Sequence, residues 1–256
     1  MIGIQLSGAK RLSIPHNDFA SLDRLLTLQR SSFERVLVVI EGLYSMDGDF
    51  PDLPRFVELR NRHRVFLMVD EAHSMGVMGP QGHGIREHFK LASNAVDIWM
   101  GTLSKTFASC GGYVAGESAL IEQLKYAAAG SLYSVGLAPP LAAAALAALQ
   151  GLRQDTVRVH KLQRNGQFFL EQLKAAGVNT GTSAGLAIVP AMVGGSVKAA
   201  RLSSALFERG INAPPIMYPA VPEKSARLRF FISSEHTIDE LALTASILSD
   251  ELTRIE

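Results

Sequence analysis

The 256-residue chain holds a single cysteine, Cys110, so an intrachain disulfide is impossible and a cysteine-based metal site has too few ligands. Nor does charge of one sign prevail. The 25 Lys and Arg nearly cancel the 24 Asp and Glu, with neither sign in a long block, so nucleic acid and anionic lipid are not expected partners. No apolar run reaches the length of a membrane span, and the opening residues Met1 to Gln5 show no basic stretch ahead of an apolar one. A cytoplasmic protein without a membrane span is the expectation. The nearest approach to a span, Leu137 to Leu149, is alanine-rich with Pro139 and Pro140 in its first turn, which suits a buried helix better. No repeat or low-complexity segment is apparent.

What is present is a hydrophobic share of 47%, enough for a large core, in short β-branched runs that alternate with amphipathic stretches. Val36 to Ile40, Val65 to Val69, Val96 to Met100 and Gly112 to Ala115 read as strands, and Pro54 to Arg64 and Glu117 to Ala128 as helices. This is the pattern of an α/β protein with a mainly parallel sheet, whose ligands collect at the carboxyl ends of the strands. Helices are expected over Leu137 to Leu149 and Val157 to Ala176. A smaller α+β unit follows, with strands at Leu186 to Met192 and Leu228 to Ser233 and helices over Lys198 to Arg209 and Ile238 to Arg254. The division is placed near residue 153, giving a large domain over 1–153 and a small one over 154–256.

Two strand ends carry the chemistry. Asp70 closes Val65 to Val69, with His73 in the turn that leads to Gly76; Lys105 follows Val96 to Met100 through Gly101, Thr102, Leu103 and Ser104. Alone, each signal is weak, since aspartates cap turns and most lysines are simply exposed. A zinc site is disfavoured: His83 and His88 lack metal-ligand spacing, and no metal is expected. Together, however, Asp70, His73, Thr102 and Lys105 supply what a pyridoxal cofactor needs: an amine to form an imine, an acid for its ring nitrogen, and partners for its phenolic oxygen and phosphate.

Three stretches, Glu41 to Asp49 (EGLYSMDGD), Val69 to Val77 (VDEAHSMGV) and Gly101 to Lys105 (GTLSK), resemble the α-oxoamine synthase family, the class II pyridoxal-phosphate-dependent acyltransferases. The likeness runs from about Leu6 to the end and takes in Ser7 to Lys10 and His16 to Asp18. It implies a fold-type-I scaffold, pyridoxal 5'-phosphate as cofactor, and a homodimer that condenses glycine, alanine or serine with an acyl-CoA or acyl-carrier-protein thioester to an α-amino ketone. By the same resemblance, Lys105 holds the cofactor as an imine and moves protons at the substrate α-carbon, and Asp70 pairs with the pyridine nitrogen. His73 and Ser45 bind the phenolic oxygen, Thr102 binds the phosphate, and Ser134 approaches the phosphate from the partner subunit. Arg229 holds the amino-acid carboxylate, with Arg227 its rival. Ser45 and Glu41 could equally organise a turn, and His16 reads as structural.

The chain also departs from the family. Nothing in it matches the small-residue phosphate turn and the ring-stacking histidine that family members carry ahead of this point, and a strand start is expected just before Ile4. Thr106 to Cys110 differ from the residues usual in the biotin-pathway members, which argues against that branch. Two alternatives stay open: an aminotransferase or lyase with the same cofactor, and a catalytically silent truncated subunit.

Overall fold

A computed structural model describes residues 2–255. It opens with α1 (Ile2–Leu6) and α2 (Phe19–Gln29), the latter capped by Asp18, whose carboxylate accepts from the Ser21 N–H at 2.9 Å. There follow β1 (Leu37–Glu41), α3 (Leu53–His63), β2 (Phe66–Asp70), α4 (Ile85–His88), β3 (Ile98–Thr102), β4 (Gly112–Gly116), α5 (Ser118–Ala127), α6 (Ala129–Leu132), α7 (Pro139–Gln154) and α8 (Val157–Ala175). Then come β5 (Ile188–Gly194), α9 (Ser196–Glu208), β6 (Pro215–Ile216), β7 (Ala226–Phe231) and α10 (Ile238–Arg254).

The first sheet has the order β1-β2-β3-β4, with β1, β2 and β3 parallel and β4 antiparallel to β3. The loop from Leu103 to Gly111 is too short for the crossover a parallel neighbour requires, so β4 must return antiparallel. Leu67 and Val69, on one face of β2, are fully buried, while Phe66 on the other face is exposed, and α3 packs on β2 through Phe56 and Leu59. Arg60 of α3 forks onto the Asp97 carboxylate, which also accepts the Leu67 N–H at 2.8 Å, pinning helix and strands together. The second sheet, β5-β7-β6, is antiparallel and carries α8, α9 and α10. α10 begins with a full capping box, Thr237 with Glu240.

Most strands and helices read from the sequence recur within two residues, but α7 runs five residues past Leu149; α2, α6 and the short β6 were not anticipated. Two expectations are corrected. Residues 2–6 are helical and not the start of a strand: no strand pairs with them among the described residues, and a helical turn satisfies its backbone locally. The alanine-rich helix α7 is not buried either. Leu141, Leu146 and Leu149 lie exposed, because no other element among the described residues covers that face.

Candidate active site

The register of the first sheet brings the site together. Glu41 stands opposite Asp70, and Asp70 opposite Met100, so three strand ends finish in one row. Backbone bonds carry the alignment one residue further, Gly42 N–H to Asp70 O at 2.8 Å and Glu71 N–H to Met100 O at 2.7 Å. The loops beyond that row hold Ser45, His73 and Lys105. Thr106, next to Lys105, donates its hydroxyl to the Met75 carbonyl at 2.7 Å and so ties the lysine turn to the histidine turn. Gly76 sits there at φ +78°, and a Cβ on it would collide with the Thr106 side chain, so only glycine permits this approach.

Asp70 is half-buried; one of its oxygens accepts the Ala72 N–H at 2.8 Å, and the other accepts nothing among the described residues. Burial lowers the Lys105 ammonium below its ordinary value, Asp70 and Glu41 oppose that shift, and Arg229 adds to it. His73 is pushed down to about 4 by burial first and by the cations of Lys105 and Arg229 second, so the imidazole is neutral at pH 7. Burial also raises the Glu41 carboxyl, against the Ser45 N–H that it accepts at 3.0 Å. Thr102 shares a hydrogen bond of 2.7 Å with Ser104 and donates to the Gly111 carbonyl at 3.2 Å.

The two arginines of β7 separate clearly. Arg227 is buried, paired with the Asp47 carboxylate and bonded to the carbonyls of Met46 and Ser225 at 3.1 Å each, so it clamps the loop after β1. Arg229 donates Nη1 to the Ser45 carbonyl at 2.9 Å, while its Nε is buried without a hydrogen-bond partner. A guanidinium N–H left in that state fits an acceptor such as a carboxylate. The same loop is held from the segment that leads into β5 by Thr182 on Asp49 at 3.0 Å and by the Ala184 N–H on the Gly48 carbonyl at 2.9 Å.

The other residues singled out lie apart from this row. His16 bonds Asp49 at 3.0 Å and sets its ring edge-on to Tyr44, contacts that hold the loop after β1. His16, Asp47 and Asp49 are grouped closely enough to hold a cation, yet Asp47 is engaged by Arg227 and Asp49 by His16, Asn17 and Thr182. Ser134 lies on the exposed stretch after α6, its hydroxyl donating to the Ser131 carbonyl at 2.9 Å. Glu71, beside Asp70 in sequence, is buried and accepts from the Ser74 hydroxyl and the Ile85 N–H, so it organises the turn. Phe231 escaped the sequence reading, because an aromatic at a strand end carries no signal until its neighbours are known.

An α/β sheet with an acid, an imidazole and a lysine at adjacent strand ends is the arrangement of a pyridoxal-phosphate-type transferase. The chain belongs to the aminotransferase class I and II family, which matches residues 2–245. It is 39% identical to an 8-amino-7-oxononanoate synthase of Treponema denticola and 42% identical to that of Thermosipho melanesiensis, over 93% of this chain and 60% of each relative. Human serine palmitoyltransferase 3 is 31% identical, over 98% of this chain and 48% of the relative. Among solved structures, serine palmitoyltransferase of S. paucimobilis with bound PLP-myriocin aldimine superposes with a TM-score of 0.86 at 30% identity, covering 94% of this chain and 60% of that one. An 8-amino-7-oxononanoate synthase from Francisella tularensis gives 0.83 at 28%, covering 99% and 72%. The chain thus spans about 60% of the length of the bacterial relatives named here. The resemblance to α-oxoamine synthases and the fold-type-I scaffold are both borne out. The residues after Lys105 were read against the oxononanoate synthases, yet proteins of that name are among the more similar relatives.

Proposed function

We propose that the protein is a pyridoxal-phosphate-dependent acyltransferase that condenses a small amino acid with an acyl thioester to an α-amino ketone. The observation that carries this reading is the convergence of Asp70, His73 and Lys105 from the first sheet with Arg229 from the second, each with a polar atom that no neighbour satisfies. The set fits pyridoxal phosphate: an amine with a lowered proton affinity, a carboxylate with a free oxygen, and a neutral imidazole beside them. When bound, that group supplies an electron sink that acidifies the α-hydrogen of an attached amino acid.

The protein's own residues do the rest. Lys105 holds the group covalently and then moves the proton at the α-carbon, for which its lowered proton affinity suits it. Asp70 keeps the ring nitrogen protonated. His73 and Ser45 bond the phenolic oxygen, and a neutral His73 can donate a hydrogen bond to the thioester carbonyl as well. Thr102 takes the phosphate, and Ser134 reaches it from a second copy of the chain. Arg229 forks onto the amino-acid carboxylate; Arg227 is set aside because Asp47 already occupies it. Coenzyme A and carrier-protein thioesters both suit the reading as acyl donors. A homodimer, a cytoplasmic location and a large domain over 1–153 with a small one over 154–256 complete it. The helical path breaks between Gln154 and Val157, which supports that division, and no helix of the described residues is long and apolar enough to cross a membrane.

The test is product chemistry. With pyridoxal phosphate added, thiol release that requires both amino acid and acyl thioester supports the condensation. Keto-acid formation without a thioester would replace it with transamination.

A further inference from the structure

Phe231 joins the two halves of the site. It stands two residues beyond Arg229 on β7, so both side chains leave the same face of the strand. Its ring faces the His73 imidazole, with centroids 6.4 Å apart and planes inclined by only 10°. The same ring carries the Arg229 guanidinium, whose Cζ lies 4.6 Å from its centroid. A phenylalanine in the core would need no such neighbours, but this one is 47% exposed, so burial of its own surface does not account for its place.

We propose that Phe231 is a positioning residue, the shared support that fixes the Arg229 guanidinium and keeps water from the His73 imidazole. The inference rests on the reading of the site as one that binds an amino acid next to a pyridoxal ring. With Nη1 committed to the Ser45 carbonyl, the guanidinium can still turn about that bond; a ring face against it removes the freedom and leaves Nε aimed at one place. On the histidine side, the charged groups that act on the imidazole are Lys105 from the loop after β3 and Arg229 from β7, both cations, with Asp70 three residues away on its own segment. Burial outweighs both cations as the reason the imidazole stays neutral, and on this proposal the near-parallel Phe231 ring supplies part of that burial.

The experiment compares the native chain with Phe231→Ala and Phe231→Tyr. Proton NMR would follow His73 through a pH titration, with His73→Gln identifying its signal among the seven histidines. The native midpoint is expected at about 4; Phe231→Ala should raise it by about one pH unit or more as water reaches the ring, and Phe231→Tyr, which keeps the ring, should leave it within a few tenths. With pyridoxal phosphate bound, Phe231→Ala should raise the half-saturating amino-acid concentration about tenfold, leave that of the thioester within about twofold, and be rescued by Tyr. A His73 midpoint unmoved in Phe231→Ala overturns the proposal, as does an equal loss for both substrates. The NMR result decides the contact even if the native chain takes up no pyridoxal phosphate, an outcome that would sink the functional reading alone.

Discussion

The strand-end row and the stretch from Ser118 to Gln154 are built on opposite terms. In the row, polar groups are partly withdrawn from water: the Asp70 carboxylate is half-buried, His73 is neutral and Glu71 is enclosed, where strands and turns from separate parts of the chain meet. Along α5, α6 and α7 no side chain is buried, although the residues are mostly Ala and Leu, and Tyr126, Tyr133 and Val135 stand out almost fully exposed. Apolar composition therefore does not decide burial. A side chain is buried when another element arrives over it, and among the described residues none arrives over Leu141, Leu146 and Leu149 of α7.

Substitutions can break that contrast, and the largest effect belongs to the row. Lys105→Ala should abolish covalent attachment of pyridoxal phosphate, because no other amine stands at these strand ends; mass spectrometry after borohydride reduction reads it, and an adduct on any peptide without Lys105 would refute the assignment. Next come the two arginines of β7. Arg227→Ala should cost about 3 kcal/mol in urea unfolding, since the buried partner of Asp47 and two carbonyls is lost while Asp47 keeps some solvent. Arg229→Lys should cost less than about 1 kcal/mol in the same assay yet weaken amino-acid binding about tenfold, because a point charge cannot make the forked contact. A reversal of the two would put the carboxylate on Arg227.

A smaller effect is expected at the edge of the row. The Asp49 carboxylate raises the His16 proton affinity by a hydrogen bond, partly offset by burial. A group whose folded pKa lies above its unfolded value stabilises fully below the unfolded value, near 6.5, and loses that contribution as pH rises through the folded one. His16 is 42% exposed, so the contribution is screened to about 0.5 kcal/mol or less; His16→Gln should flatten the pH dependence of stability between pH 6 and 8 by about that amount. The smallest effect on the fold falls on the exposed stretch. Leu146→Glu should change the stability of the single chain by no more than about 0.5 kcal/mol, and if a second copy covers α7 it should instead weaken self-association in sedimentation. A loss of several kcal/mol in a monomer would mean that α7 packs within its own chain.

From the sequence by itself came the alternating elements, because hydrophobic periodicity and turn residues act over a few positions, and with them the placing of Asp70, His73 and Lys105 at strand ends. Likewise the motif order was enough to expect a pyridoxal-phosphate scaffold. Only the tertiary structure set Arg227 apart from Arg229, since both occupy the same strand face and differ in whether Asp47, 180 residues from Arg227, meets them. It also decided that α7 lies open, that residues 2–6 coil into a helix, and that Phe231 lies between His73 and Arg229. The reason is common to all four. Local sequence sets what a segment can form, but which polar groups are paired and which faces are covered depends on residues brought together from distant parts of the chain, and pairing and cover are what set charge, burial and chemistry.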